Sequence, residues 1–169
     1  PSLDLFSERN ALKALRWTHF RSRVDLGEWW SHNTGKFAEP YAFGERLRHH
    51  LRQSPVKYDV VHDNQSLSFG LLHVARSGTP VLATLHHPIT RDRDCALADA
   101  ADRGTRALLR RWYSFLDMQA QVARALPAVI AVSDTTRRDA IADFGLEPSR
   151  VHVIHNGVDT EAFRPLPDV

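Results

Sequence analysis

Four short apolar runs, each leading into a stretch of helical character, constrain this chain more than anything else in it. They are residues 58–62 (YDVVH), 80–86 (PVLATLH), 128–133 (AVIAVS) and 151–156 (VHVIHN). Continuous β-branched runs of this kind mark buried strands of a parallel sheet. Between the first two, residues 67–76 (LSFGLLHVAR) are apolar enough for a buried helix, which Ser77, Gly78 and Pro80 end. After the third run, Ser133 or Asp134 can cap a helix with Ala140, Ile141 and Phe144 on one face, and Gly145 supplies a left-handed stop. Residues 104–126 place Leu108, Leu109, Trp112, Phe115, Leu116, Val122, Ala123 and Leu126 at helical spacing and read as one long amphipathic helix. The alternation predicts an α/β fold: a doubly wound, Rossmann-like parallel sheet with right-handed crossovers and helices on both faces.

The first 50 residues are less regular. Residues 11–19 read as a helix, Glu28, Trp29 and Trp30 as part of a polar loop, and 41–53 as a second helix. A doubly wound nucleotide binder usually opens with a strand and a glycine-rich turn. Nothing of that kind precedes Tyr58, so the first βα unit is expected to be missing. The expected division is a partly helical segment over 1–50, a Rossmann-like domain over 51–157, and the start of an interdomain linker over 158–169.

Composition narrows the function. With 43% hydrophobic and 25% charged residues the chain is of ordinary globular type. A formal charge of +2, without lysine-rich runs or aromatics interleaved with basic residues, argues against nucleic acid as a partner. The single cysteine, Cys95, rules out an internal disulfide and fits a reducing cytoplasm. No apolar run approaches the roughly 20 residues needed to span a bilayer. The expected location is cytoplasmic, at the inner face of the membrane if the acceptor is a lipid.

Ligands of open α/β sheets bind beyond the carboxyl ends of the strands. That rule singles out His62, Asp63 and Asn64; His86 and His87; Ser133 and Asp134; and Asn156 and Gly157. A histidine at such an edge can exchange hydrogen bonds with sugar hydroxyls or phosphate, or merely satisfy loop backbone groups. His62, Asp63, His86 and His87 lack tight ligand spacing, so no metal is expected. Ser133 lacks the glycines of a nucleophile elbow and reads as a helix cap. Arg103, Arg106 and Arg110 share one helical face with Arg111 beside them, and Arg91 and Arg93 precede them. Arg91, Arg106 and Arg110 are therefore candidates to hold an acceptor phosphate or an anionic lipid head group. The competing reading is a solvated arginine face balanced by Asp99, Asp102 and Asp117.

The strings YDVVHDN, GTPVLATLHHP, PAVIAVSDTTRRDAI and VHVIHNGVDTEAFRP resemble, in order, blocks of the amino-terminal domain of family 4 retaining glycosyltransferases of GT-B fold. The resemblance implies a metal-independent transfer, without a cofactor, from a nucleotide-diphosphate sugar to a sugar, lipid or small-molecule acceptor. The amino-terminal domain of that family mostly shapes the acceptor site. Donor-holding residues belong to a carboxy-terminal domain absent from these residues, so this stretch alone is expected to be inactive. By the same resemblance His86 reaches toward the donor sugar and its leaving phosphate. His62, Asn64 and His87 line the acceptor side, and Asn156, Gly157 and Asp159 begin the linker. Asp159 can also cap a short helix over 160–163. Gln119 and Gln121 stand where the family often has a glutamate. The alternatives are a GT-B sugar-nucleotide epimerase and a non-catalytic sugar- or phosphate-binding module.

Overall fold

The structure is a computed structural model and describes Leu3, Leu5 and residues 17–164. After a 3-10 turn over Trp17–Arg21, two helices, α1 (Arg23–Asn33) and α2 (Glu39–Gln53), lead to strand β1 (Val61–Asn64). Then follow α3 (Phe69–Arg76), β2 (Val81–Leu85), α4 (Thr90–Ala98), α5 (Arg103–Trp112), α6 (Phe115–Ala125), β3 (Val129–Ala131), α7 (Asp134–Phe144) and β4 (Val151–Val153). The four strands form one sheet in the order β1-β2-β3-β4, every pair parallel. The α/β, Rossmann-like architecture expected from the sequence is present.

The parallel register sorts the strand residues into two rows. Val61 pairs with Val81, Ala83 with Val129, and Val129 with Val151; of these only Val61 is not fully buried. Their row meets Leu71 and Val74 of α3, Leu116 and Val122 of α6, and Ala140 and Phe144 of α7 in one hydrophobic core. The alternate row runs from Asn64 through Thr84 and Ile130 to His152, with His62 beside Leu82. Only Thr84 of that row is buried. Since α2 packs on α3, α3 on α6 and α6 on α7, these helices lie side by side. Helices were expected on both faces; among the described residues one face is covered. Strand order explains it, because right-handed crossovers that advance the same way each time all fall on the same side.

Three local expectations change. The first strand covers 61–64 rather than 58–62. Its ladder starts where the Val61 N–H donates to the Pro80 carbonyl (2.9 Å), and proline has no N–H with which to extend it backwards. The long helix over 104–126 is two helices. The Ser114 hydroxyl donates to the Arg111 carbonyl (2.8 Å), competing for the backbone at the break. This lets α6 turn Phe115, Leu116 and Met118 inward while α5 buries nothing. Glu28, Trp29 and Trp30 lie in α1, not in a loop. Ser22 caps that helix through the Asp25 N–H (3.1 Å), and buried Glu28 takes a charged bond from Arg46 (2.6 Å). The expected helix over 11–19 lies outside the described residues except for its last three positions, which are 3-10. The one over 41–53 is α2.

Candidate functional site

The loops that leave β1 and β2 at their carboxyl ends are joined by side-chain hydrogen bonds. His86, directly after β2, is half-buried, and its Nε2 lies 2.7 Å from Asn64 Oδ1 at the end of β1. One register step back, exposed His62 places Nε2 2.7 Å from Thr84 Oγ1. Both pairs lie on the uncovered row of the sheet. His62, Asp63 and Asn64 were expected just past the strand; with β1 shifted, they are its last residues. Asp63 faces the opposite way and is buried. Its carboxylate accepts the Leu67 N–H (2.8 Å) and the Ser66 hydroxyl, which ties down the loop behind Asn64.

That loop contains two residues with left-handed backbone, Gln65 at φ 64° and Leu67 at φ 44°. Gln65 Oε1 accepts the N–H of His86 (2.6 Å) and of His87 (3.4 Å), while Gln65 Nε2 donates to the His87 carbonyl (2.8 Å). Gln119, buried in α6, donates to the Gln65 carbonyl (3.0 Å) and to that of Ser66 (3.4 Å). From the other side, buried Thr136 in α7 donates its hydroxyl to the His86 carbonyl (2.8 Å). Ser133 caps α7 by accepting the Thr136 N–H (3.0 Å), as expected for one of the two capping candidates.

Of the sequence candidates, His62, Asn64, His86 and His87 are therefore gathered at one rim, although among the described residues exposed His87 takes part only through its backbone. The arginines are not joined to them. Arg91, at the start of α4, pairs with Asp139 of α7 (2.6 Å). The side chains of Arg106 and Arg110 project from exposed α5 without an ion pair or hydrogen bond among the described residues. Arg111 is structural: it donates to the Thr34 carbonyl (2.6 Å) and hydroxyl (2.5 Å) beyond α1. Asn156, Gly157 and Asp159 lie exposed past β4. There Asp159 Oδ1 accepts the N–H groups of Glu161 (2.9 Å) and Ala162 (3.1 Å), capping a turn rather than the expected helix.

Gln65, Gln119 and Thr136 were not singled out as site residues. Nothing in the string HDNQS marks Gln65 for a left-handed conformation, and Thr136 looks like an ordinary first-turn residue. Only the family resemblance, which leads one to expect a glutamate near Gln119 and Gln121, set Gln119 apart. Among the described residues no three His, Cys, Asp or Glu side chains converge to hold a metal, and no helix is long and apolar enough to cross a membrane.

The family model described as Glycosyltransferase Family 4 matches residues 7–162. An MMP alpha-(1->4)-mannosyltransferase of Mycolicibacterium hassiacum is 42% identical over 165 residues, 98% of this chain and 40% of that protein. D-inositol 3-phosphate glycosyltransferases are more distant. That of Acidothermus cellulolyticus is 31% identical over 70% of this chain and 25% of its own length, and that of a Mycobacterium tuberculosis strain is 32% identical over 70% and 24%. The chain thus spans less than half the length of these relatives.

Proposed function

The chain belongs to glycosyltransferase family 4, and on that premise we propose that it forms the acceptor-side domain of an enzyme that moves a hexose from a nucleoside-diphosphate sugar to a hydroxyl acceptor with retention of configuration. The observation that carries this reading is the exposed polar rim at the carboxyl ends of β1 and β2, where His86 and Asn64 share a hydrogen bond. In such a transfer the bond from the anomeric carbon to the departing phosphate oxygen breaks as the acceptor oxygen takes its place. The acceptor proton leaves with the diphosphate. The groups on this rim suit that chemistry as hydrogen-bond partners of hydroxyls, oriented before the ligand arrives. Stabilising the departing diphosphate requires cations aimed at it. Among the described residues no lysine or arginine is joined to the rim, so the reading assigns that work to a donor-binding domain beyond these residues.

Mannose is the first sugar to test, because it is the one named in the relative that matches nearly the whole chain. The direct experiment pairs this domain with its donor-binding domain in one polypeptide and follows transfer from a nucleoside-diphosphate mannose to oligosaccharide and inositol-phosphate acceptors. His86→Ala is expected to lower kcat by about 100-fold if the imidazole acts in the transition state. An unchanged kcat would return His86 to a structural role. The 169-residue chain by itself is expected to give no turnover, and sustained turnover by it would refute the assignment of donor chemistry to a second domain.

A further inference from the structure

Gln65 stands in a conformation that a long side chain disfavours, at φ 64°, beside the rim residue Asn64. Backbone pairing between β1 and β2 ends at Asn64 and Thr84. At Gln65 the main chain has left the ladder, yet its side-chain amide accepts the His86 N–H (2.6 Å) and donates to the His87 carbonyl (2.8 Å). A primary amide offers the same acceptor and donor as a peptide unit. The side chain therefore does for His86 and His87 what another residue of a neighbouring strand would do.

The arrangement is braced on every side. Gln119 holds the Gln65 carbonyl (3.0 Å), Asp63 holds the Leu67 N–H (2.8 Å), and Thr136 holds the His86 carbonyl (2.8 Å). With its backbone fixed at both N–H and C=O, His86 can keep its ring against Asn64 Oδ1 (2.7 Å). An amide oxygen only accepts, so Nε2 carries the proton in this geometry. Nδ1 is then the nitrogen with no hydrogen-bond partner among the described residues.

We propose that Gln65 is a positioning residue: its amide, held in place by a left-handed backbone that Gln119 supports, fixes the His86 backbone so that Asn64 can select the Nε2-protonated ring and leave Nδ1 for the ligand. As a statement about transfer this rests on the function proposed above; as a statement about His86 it does not. The two are separated by measuring the ring directly in this chain. Gln65→Gly removes the amide while suiting the left-handed backbone, so it tests positioning without adding backbone strain. Nitrogen-detected imidazole NMR on the wild-type chain is expected to show a single Nε2-protonated tautomer at His86. In Gln65→Gly the tautomers should mix and exchange protection of the His86 amide should fall about tenfold or more, beyond any fall at amides of the sheet core. Gln65→Glu, which keeps an acceptor but loses the donor to the His87 carbonyl, should be intermediate. An unchanged tautomer and unchanged protection in Gln65→Gly would overturn the proposal. In the two-domain enzyme, Gln65→Gly should lower kcat about tenfold with acceptor KM little altered. If Gln65→Gly leaves kcat intact while His86→Ala lowers it, the positioning role fails. If both variants are as active as wild type, it is the transferase reading of His86 that fails, and the NMR result still decides what Gln65 does.

Discussion

At the level of single residues, the positions legible in the sequence are those whose job is local. Ser133 caps α7 and Gly145 ends it at φ 65°, both within reach of pattern alone. Glu28 was illegible because its partner, Arg46, is 18 positions away and on another helix. Burial opposes the Arg46 charge, but its bonds to Glu28 and Asp25 more than offset this and leave its pKa raised. Asp102 carries a local role with a measurable pH signature. It caps α5, and the Thr105 N–H, the Thr105 hydroxyl and the Gly104 N–H hold its carboxyl below the usual carboxylate range. A depressed folded-state pKa contributes stability that is present above the unfolded value and disappears as pH falls through the folded one. Asp102→Asn keeps a capping oxygen but removes the charge. The variant should therefore unfold at lower denaturant than wild type at neutral pH. The two should converge once the pH is below the depressed folded value. A gap that persists unchanged in acid would mean the carboxylate is not the source.

Whole elements were legible where hydrophobic period decided them. They were misjudged where a second helix or a competing side chain did. The α5–α6 break illustrates this, since Leu109, Trp112 and Leu116 continue one helical stripe across Ser114 and nothing in the period announces an interruption. The α2–α3 crossing was also invisible in advance. There Gly44 meets Ser68 and Gly70 so closely that a Cβ on Gly44 would overlap the Ser68 side chain, and one on Gly70 would overlap the Gly44 backbone. Helices that approach this closely depend on residues without side chains. Because the Gly70 neighbour is backbone and has little room to yield, Gly70→Ala should cost about 2 kcal/mol or more in denaturant unfolding. Ser68 gives the opposite expectation. Its hydroxyl is fully buried with no hydrogen-bond partner among the described residues, so Ser68→Ala removes an unsatisfied group and should be neutral or stabilising. A large loss in Ser68→Ala would show that the hydroxyl has a partner after all.

On the scale of the whole molecule, the sequence conveys that these strands are parallel and crossed by helices, but not how much of the sheet the described residues cover. A run such as AVIAVS reads as buried on both sides, as strands of parallel sheets normally are. In the structure Val129 is 1% exposed beneath the helices, while Ile130, the next residue of β3, is only half-buried on the other row between Thr84 and His152. The candidate rim belongs to that second row through His62, Asn64 and Thr84, so the open face and the site are continuous. Adjacent positions of one short strand should then respond very differently to the same change. Val129→Thr puts a hydroxyl where no partner is at hand and should destabilise the chain by about 2 kcal/mol. Ile130→Thr leaves its hydroxyl within reach of water and should cost under about 1 kcal/mol, with less binding of a hydrophobic dye to the native chain. Both follow from denaturant melts and dye fluorescence on the 169-residue chain. Equal losses at the two positions would mean that the second face is as tightly covered as the first, and that the one-sided sheet described above is wrong.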